Sequence, residues 1–200
     1  MSKLTLYIDG SEIRVGDQWK QGWGILALHH AGDTVELNGS LQVKRNGRNG
    51  GWHEVLAFYH AVNYAEAQGY APGECSFYSD CDWVAYGGFH LVPENYSNKR
   101  LDVAERLQLF KEVFYPGDET LVERMCKWLV NAQMHWLKGH KVDVSNNRVD
   151  YLARSAIYNK ATHECMDFQS WLENGFSVWD NEIKANKIHM MPFVKADYVQ

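Results

Sequence analysis

Long apolar runs are missing from this chain of 200 residues. No stretch approaches the roughly 20 consecutive apolar residues that a membrane-spanning helix needs. The chain begins Met1-Ser2-Lys3 and enters a polar-flanked strand directly, without the apolar core of a secretory signal peptide. We therefore expect a soluble, cytoplasmic protein with no membrane partner. Its 46% hydrophobic content suffices for one substantial core.

Cysteine is also scarce, with four residues in the whole chain: Cys75, Cys81, Cys126 and Cys165. Their spacing matches neither a paired metal-binding motif nor the dense framework of a disulfide-rich protein. Reduced thiols in a cytosolic setting fit this pattern best. Zinc is therefore a poor candidate, although the nine histidines leave it open.

A basic excess is missing as well, since the formal net charge is −5. Nucleic-acid-binding proteins usually carry a basic surface, so this charge at first argues against such a partner. Five of the acidic residues, however, lie between Lys160 and Lys184, a stretch with no lysine or arginine inside it. The rest of the chain is neutral, with 20 acidic residues remaining against 20 basic ones. A nucleic-acid partner is therefore not excluded.

The pattern of apolar residues and turn formers predicts an α/β protein. A five-stranded mixed sheet is expected, in which an antiparallel meander is followed by parallel strands, with helices flanking the sheet. We predict strands at 3–9, 22–30, 34–44, 75–79 and 132–137, and helices at 52–68, 101–113, 119–130 and 146–158. Asn146 or Ser145 could cap the last helix. The sequence has no internal repeat and no low-complexity linker.

Four acidic residues fall where strands and helices could present them to one cleft. Asp9 follows the apolar run 4–8, and Asp80 follows the run 75–79 in the same way. Glu54 opens a predicted helix, and Asp150 lies within another. Clustered carboxylates are suitable ligands for hard divalent cations such as Mg²⁺.

Each acid taken alone has a simpler interpretation. Asp9 before Gly-Ser could form a turn, and Asp80 could cap the helix that follows it. Asp150 could pair with Arg154 at helical spacing on the surface. Glu54 in a first helical turn is favoured by the helix dipole without any function. These interpretations hold singly, but not all four together.

Four sequence segments resemble the motifs of the ribonuclease H family, in the same order and with similar spacing. Tyr7-Ile8-Asp9-Gly10-Ser11 resembles its first-strand motif, and Tyr78-Ser79-Asp80-Cys81-Asp82-Trp83-Val84 resembles its fourth-strand motif. Its most specific signature is similar to two segments that follow one another in the chain. They are Trp136-Leu137-Lys138-Gly139-His140 and Asn147-Arg148-Val149-Asp150-Tyr151-Leu152-Ala153-Arg154. Glu54 takes the place of the helix glutamate. The resemblance covers roughly residues 3–158.

The resemblance implies an endonuclease that hydrolyses the RNA strand of an RNA–DNA hybrid with two Mg²⁺ ions, for which Mn²⁺ could substitute. By resemblance, Asp9 bridges both ions, Asp150 holds the ion that activates water, and Glu54 and Asp80 hold the ion beside the leaving oxygen. His140, on a glycine-flanked loop, would assist proton transfer or product release. No obligate protein partner is evident. The residues expected to contact the substrate are Ser11, Asn49, Lys138 and Arg148.

One segment departs from the family pattern. Where the family usually has polar amides and an arginine before the helix glutamate, this chain has Gly50-Gly51-Trp52-His53. Contacts to the RNA 2′-hydroxyl there would have to come from backbone groups or from Asn49. Two other functions therefore stay open: a related nuclease or resolvase that acts on DNA, and a catalytically silent nucleic-acid-binding module.

The last forty residues lie outside the resemblance. We expect residues 1–160 to form the catalytic domain and residues 161–200 to form a C-terminal extension. The extension contains too many aromatic residues for a disordered segment, so we expect it to pack on the domain. These aromatic residues are Phe168, Trp171, Phe176, Trp179, Phe193 and Tyr198.

Overall fold

A five-stranded mixed sheet forms the centre of the fold. The computed structural model describes residues 2–16, 18–43, 51–85, 97–137, 143–167, 169–170 and 173. Its strands are β1 (Leu4–Val15), β2 (Gln18–His29), β3 (Thr34–Val43), β4 (Cys75–Ser79) and β5 (Gln133–Trp136). They are ordered β3-β2-β1-β4-β5; the first three pair antiparallel, and β4 runs parallel to β1 and β5. The predicted fold class is confirmed.

The first hairpin is longer than the sequence predicted. β1 does not end at Asp9 but continues to Val15, in register with β2 up to a turn at Gly16. The φ of 64° at Gly16 lies in the left-handed region that glycine tolerates best. The parallel pairing of β1 with β4 stops at Tyr7, so the hairpin extends past the end of β4. Asp9 therefore lies within a strand, yet beside the end of the neighbouring strand.

The helices are α1 (Trp52–Ala67), α2 (Asp82–Ala85), α3 (Ser97–Phe114), α4 (Leu121–Asn131) and α5 (Val144–Ile157). The positions of α1, α4 and α5 agree with the predicted helices to within a few residues, and α3 begins earlier than predicted. The predicted cap of α5 was wrong. The Asp143 carboxylate caps this helix by accepting a hydrogen bond of 2.9 Å from the Asn146 backbone N–H. In the described part of the chain, no helix is both long and apolar enough to cross a membrane.

Helices α1 and α5 pack on opposite faces of the sheet. Asp9 of β1 is directly opposite Gly24 of β2, and a Cβ atom on Gly24 would lie 2.2 Å from the Val149 carbonyl oxygen of α5. A Cβ atom on Gly10 would lie 2.3 Å from the His53 carbonyl carbon of α1. Because successive residues of a strand face opposite sides, Asp9 faces α5 and Gly10 faces α1. The two glycines thus allow both helices to approach the middle of β1 and β2.

The main hydrophobic core lies between the sheet, α1, α3 and α4. At its edge the Trp128 indole N–H donates a hydrogen bond of 2.8 Å to the carboxylate of Glu66, an exposed residue of α1. The largest side chains that are almost fully buried in this core include Leu6, Ile8, Leu56, Phe58, Phe77, Leu107, Phe110 and Trp128.

The residues that follow α5 contact the domain. A short 3₁₀ helix spans Thr162–Glu164, and the Thr162 hydroxyl donates a hydrogen bond of 2.9 Å to the Asn38 side chain on β3. The Asn38 amide in turn donates to the carbonyl of Lys160. Two residues further on from the 3₁₀ helix, the Met166 N–H donates to the hydroxyl of Tyr151 on α5. Residues 160–166 therefore lie against β3 and α5; the expected packing of residues 174–200 falls outside the described residues.

Candidate active site

Four carboxylates from four different elements meet at one cleft. Asp9 comes from β1, Glu54 from the first turn of α1, Asp80 from the residue after β4, and Asp150 from α5. One carboxylate oxygen each of Asp9, Glu54 and Asp80 lies within 4.8 Å of the other two. Asp9 and Asp150 are almost fully buried, with 4% and 3% of their surface exposed. The fold thus brings together the four acids that the sequence separates widely.

The backbone of Gly10 links the first two acids. Its N–H lies 2.9 Å from Oδ1 of Asp9 and 3.2 Å from Oε2 of Glu54, so one donor serves both carboxylates. This contact needs the close approach of α1 that the missing side chain of Gly10 allows. Glu54 therefore gains a geometric anchor that its sequence position alone did not reveal.

Asp80 is held by groups from β5 and α5. The side-chain amide of Asn146 donates a hydrogen bond of 3.3 Å to Asp80 Oδ2, and the Trp136 indole N–H donates one of 3.0 Å to the Asp80 carbonyl. Asn146 is buried, whereas 44% of the surface of Trp136 is exposed. Sequence reasoning considered Asn146 only as a helix cap and did not identify its contact with an acid.

Asp150 does pair with Arg154, but not on the surface. The Arg154 Nε lies 2.7 Å from Asp150 Oδ1, at the predicted spacing of one helical turn. The Asp150 carboxylate is buried, and both residues line the cleft that contains the other three acids. The arginine therefore places a positive charge at the rim of an otherwise acidic site.

Burial and mutual repulsion raise the pKa of two of these acids. Burial is the main cause of a pKa well above the ordinary range at Asp9, and the charges of Glu54, Asp150 and Asp80 raise it further. Burial likewise raises the pKa of Glu54 from 4.5 to about 8, partly offset by His53. Holding several like charges together in this way is unfavourable without a cation. The donor set of carboxylate oxygens therefore fits a hard divalent metal ion.

The residues expected to contact the substrate do not all lie at the cleft with the four acids. Ser11 lies two residues after Asp9 on β1 and lines the cleft. Asn49, Lys138 and His140 lie outside the described residues.

Arg148 does not reach the cleft, which corrects the expectation that it contacts the substrate. It is fully buried, and its guanidinium makes hydrogen bonds of 2.6 and 2.7 Å with the two carboxylate oxygens of Glu36 on β3. It also donates to the Met166 carbonyl at 2.5 Å. Arg148 is only two positions from Asp150 in the sequence, but residues two apart on a helix do not face the same side, so its side chain points in another direction.

Two further cleft residues were missed by sequence reasoning. His53 and Glu12 both line the cleft, with Nδ1 of His53 3.4 Å from Oε2 of Glu12 and its Nε2 3.5 Å from Oε1 of Glu54. Because β1 continues to Val15, Glu12 lies on the same side of the sheet as Gly10, the side that faces α1; the predicted strand, which ended at Asp9, did not reach it. His53 was noted only as a departure from the family pattern.

The sheet order and the carboxylate cluster define an α/β protein with an acidic cleft whose oxygen ligands suit a divalent metal ion. Within that class, the chain belongs to the ribonuclease H family: the RNase H family model matches residues 1–158. This confirms the resemblance seen in the sequence motifs.

Individual relatives agree with the family assignment. The chain is 28% identical over 162 residues to a ribonuclease H of Chlorobium phaeobacteroides, covering 78% of this chain and 97% of that protein. It is 29% identical over 164 residues to a ribonuclease H of Chlorobium luteolum, covering 79% and 97%. Among solved structures, LC9-RNase H1, described as a type 1 RNase H with the type 2 active-site motif, matches with a TM-score of 0.50 and 17% identity. That match covers 96% of this chain and 86% of the other, and it supports the fold.

Proposed function

We propose that this protein is an endonuclease that hydrolyses the RNA strand of RNA–DNA hybrids with the help of divalent metal ions. The observation that carries the proposal is the meeting of Asp9, Glu54, Asp80 and Asp150 at one cleft of a ribonuclease H family fold. The relatives named above are ribonucleases H. A hybrid is therefore the substrate that we assign to the cleft.

The four carboxylates are the residues that would hold the metal ions. Mg²⁺ is the expected metal because all four side chains offer hard oxygen ligands, and Mn²⁺ is the expected substitute. Two such ions, when bound, would activate a water molecule and neutralise charge on the phosphate and the leaving oxygen. By resemblance to the family, Asp9 would serve both ions, and its buried carboxylate has an oxygen within 4.8 Å of carboxylate oxygens of Glu54 and Asp80.

The remaining cleft residues would orient the reacting groups. Asn146 and Trp136 fix the side chain and the carbonyl of Asp80, and Arg154 fixes the carboxylate of Asp150. Ser11 lines the cleft and would contact the nucleic-acid backbone there. His140 remains our candidate for proton transfer or product release.

One observation keeps a DNA substrate as the second candidate. The family's usual amides and arginine before the helix glutamate are replaced by Gly50-Gly51-Trp52-His53. Those amides and that arginine would be natural partners for the ribose 2′-hydroxyl, the group that distinguishes RNA from DNA. Discrimination against DNA would then rest on other contacts in the cleft.

The test is a cleavage assay with end-labelled substrates of one sequence: an RNA–DNA hybrid, duplex RNA and duplex DNA. Each substrate is incubated with Mg²⁺, with Mn²⁺ and with chelator. We expect cuts in the RNA strand of the hybrid in the presence of either metal and none with chelator. Cleavage of duplex DNA alone would identify the second candidate, and binding of the hybrid without any cleavage would identify a silent module.

A further inference from the structure

We propose that His53 and Glu12 form a positioning pair that holds the carboxylate of Glu54 in its metal-binding place. This inference rests on the proposed function, in which Glu54 is a metal ligand. Neither residue belongs to the carboxylate cluster itself. They are nevertheless in contact with it, because His53 lies beside Glu54 and Glu12 lies beside His53.

The imidazole of His53 lies between two carboxylates. Nε2 is 3.5 Å from Oε1 of Glu54, and Nδ1 is 3.4 Å from Oε2 of Glu12. All three side chains are largely buried, with 21%, 14% and 20% of the side-chain surface exposed for His53, Glu54 and Glu12. At least one ring nitrogen of an imidazole always carries a proton, and each nitrogen lies next to a carboxylate oxygen, so the ring interacts favourably with at least one of these acids. The ring also keeps the two carboxylates apart.

Glu12 is fixed in turn by the neighbouring strand. Gln21 of β2 is directly opposite Glu12 in the hairpin, and its Nε2 lies 3.2 Å from Oε2 of Glu12. Gln21 is fully buried, so its position is set by the core. The contacts therefore run from β2 through β1 to α1, and they end at the carboxylate of Glu54.

Glu54 needs this support more than the aspartates do. A glutamate has one more rotatable bond than an aspartate, and ordering a glutamate side chain costs up to about 2 kcal/mol of rotamer entropy. Its Oε2 shares the Gly10 N–H with Asp9, so that donor is divided between two acids. A contact at the other oxygen, Oε1, supplies the second point that fixes the plane of the carboxylate. Groups that orient a metal ligand in this way typically change metal affinity 10- to 100-fold when they are mutated.

The test compares Mn²⁺ binding by isothermal titration calorimetry in the full-length wild type, His53→Ala, Glu12→Gln and the double variant. We expect the dissociation constant of the Mn²⁺ site that includes Glu54 to rise about tenfold in His53→Ala. Glu12→Gln should raise it less and should add nothing in the absence of His53, because Glu12 acts through His53. His53→Gln, which keeps a donor, should recover most of the affinity.

Two control variants match these changes away from the cleft. His60→Ala removes the other histidine of α1 two turns further on, which stacks on Trp23, and Glu74→Gln neutralises an acid that pairs with Lys3. Neither should change the dissociation constant, and melting curves in chelator identify any variant that fails to fold. If His53→Ala does not fold, the comparison of His53→Gln with the Glu12→Gln, His53→Gln double variant takes its place.

Unchanged or tighter Mn²⁺ binding in His53→Ala, or fully additive effects of the two substitutions, would overturn the positioning role. Tighter binding would mean that His53 competes with the cation instead of positioning its ligand. The proposed function fails separately: a wild type that binds Mn²⁺ but does not cut the hybrid would refute the nuclease and leave the binding comparison valid.

Discussion

At the scale of single residues, the acids of the cleft are held in an unfavourable state, because their charged forms are buried and repel one another. The pKa of Glu54 is raised from 4.5 to about 8, and that of Asp9 is also well above its ordinary value. The folded protein therefore binds more protons than the unfolded chain between about pH 4.5 and pH 8. The contribution of these acids to stability is fully present below that window and is lost as the pH rises through it. A bound cation should offset this loss.

The substitution Asp9→Asn tests this account. In chelator at pH 8 it should stabilise the protein, because it removes one of the repelling charges; a gain of about 1 kcal/mol would raise the melting temperature by roughly 2–4 °C. The gain should shrink at pH 5, where Glu54, whose pKa is about 8, is protonated and no longer repels Asp9. Asp33→Asn, in the exposed turn between β2 and β3, is the matched control and should change little. A less stable Asp9→Asn protein at pH 8 without metal would contradict the account.

A second substitution at this scale tests whether Arg148 stabilises the fold and does not bind substrate. Arg148→Met should lower the free energy of unfolding by about 3 kcal/mol, because it leaves the carboxylate of Glu36 without its buried partner. The Michaelis constant for the hybrid should stay the same per folded molecule. Chemical denaturation and steady-state kinetics on the same preparations measure both quantities. A large rise of the Michaelis constant with normal stability would restore the role in substrate binding.

The acids could be predicted from the sequence, whereas their supports could not. Asp9, Asp80 and Asp150 each follow a local pattern of strand or helix, and motif order connected them to Glu54. The partners Asn146, His53 and Glu12 act across elements, and Arg148 is buried against a residue 112 positions away. A side chain's direction depends on the register and on the packing angle of its element. Neither is encoded in a local pattern.

At the scale of elements, the site depends on how closely α5 approaches the sheet. Gly22 and Gly24 lie on the face of β2 that meets α5, and Cβ atoms on them would lie 2.1 and 2.2 Å from the carbonyl oxygens of Ala153 and Val149. Those obstacles are backbone atoms, so the helix would have to move as a whole. Asp150 would move with it.

Gly24→Ala should therefore damage the site through the helix. We expect a loss of stability of roughly 1–3 kcal/mol from overpacking and a larger relative loss of metal-dependent cleavage. Gly73→Ala, where a Cβ atom would meet only the Asn131 carbonyl oxygen at 4.0 Å, is the control. Urea denaturation measures the loss of stability, and cleavage rates measure the loss of activity. Normal activity in Gly24→Ala would show that the position of Asp150 tolerates a displaced helix.

Element types were predictable from periodicity, but the length of the first hairpin was not. Residues 11–15 read Ser-Glu-Ile-Arg-Val, in which polar residues alternate with Ile13 and Val15, and they pair with β2 as far as Val15. The pairing of β1 with β2 sets the end of β1 at Val15, before the turn at Gly16. The same pairing places Glu12 opposite Gln21, so the missed strand end and the missed support of Glu54 have one cause.

At the scale of the whole molecule, the segment after α5 is tied to the domain by polar contacts. Thr162 contacts Asn38, and the Met166 carbonyl accepts from the buried Arg148. A chain that ends at residue 160 should therefore be less stable by about 2 kcal/mol, since a buried charged group loses one acceptor. Its cleft residues are untouched, so cleavage of the hybrid should persist below the lowered melting temperature. Calorimetry of the full-length and the shortened chain measures the difference in stability. An unchanged melting temperature would show that the extension is dispensable for folding.

The most direct measurement of the central claim is the initial rate of cleavage of a labelled RNA–DNA hybrid as a function of Mg²⁺ concentration. We compare the wild type with Asp80→Asn and with the control Asp33→Asn. The account predicts saturable, Mg²⁺-dependent cutting of the RNA strand by the wild type and the control. It predicts a loss of about 100-fold or more in Asp80→Asn, or about 3 kcal/mol of transition-state stabilisation. Full cleavage by Asp80→Asn, or cleavage by the wild type that persists in chelator, would contradict it.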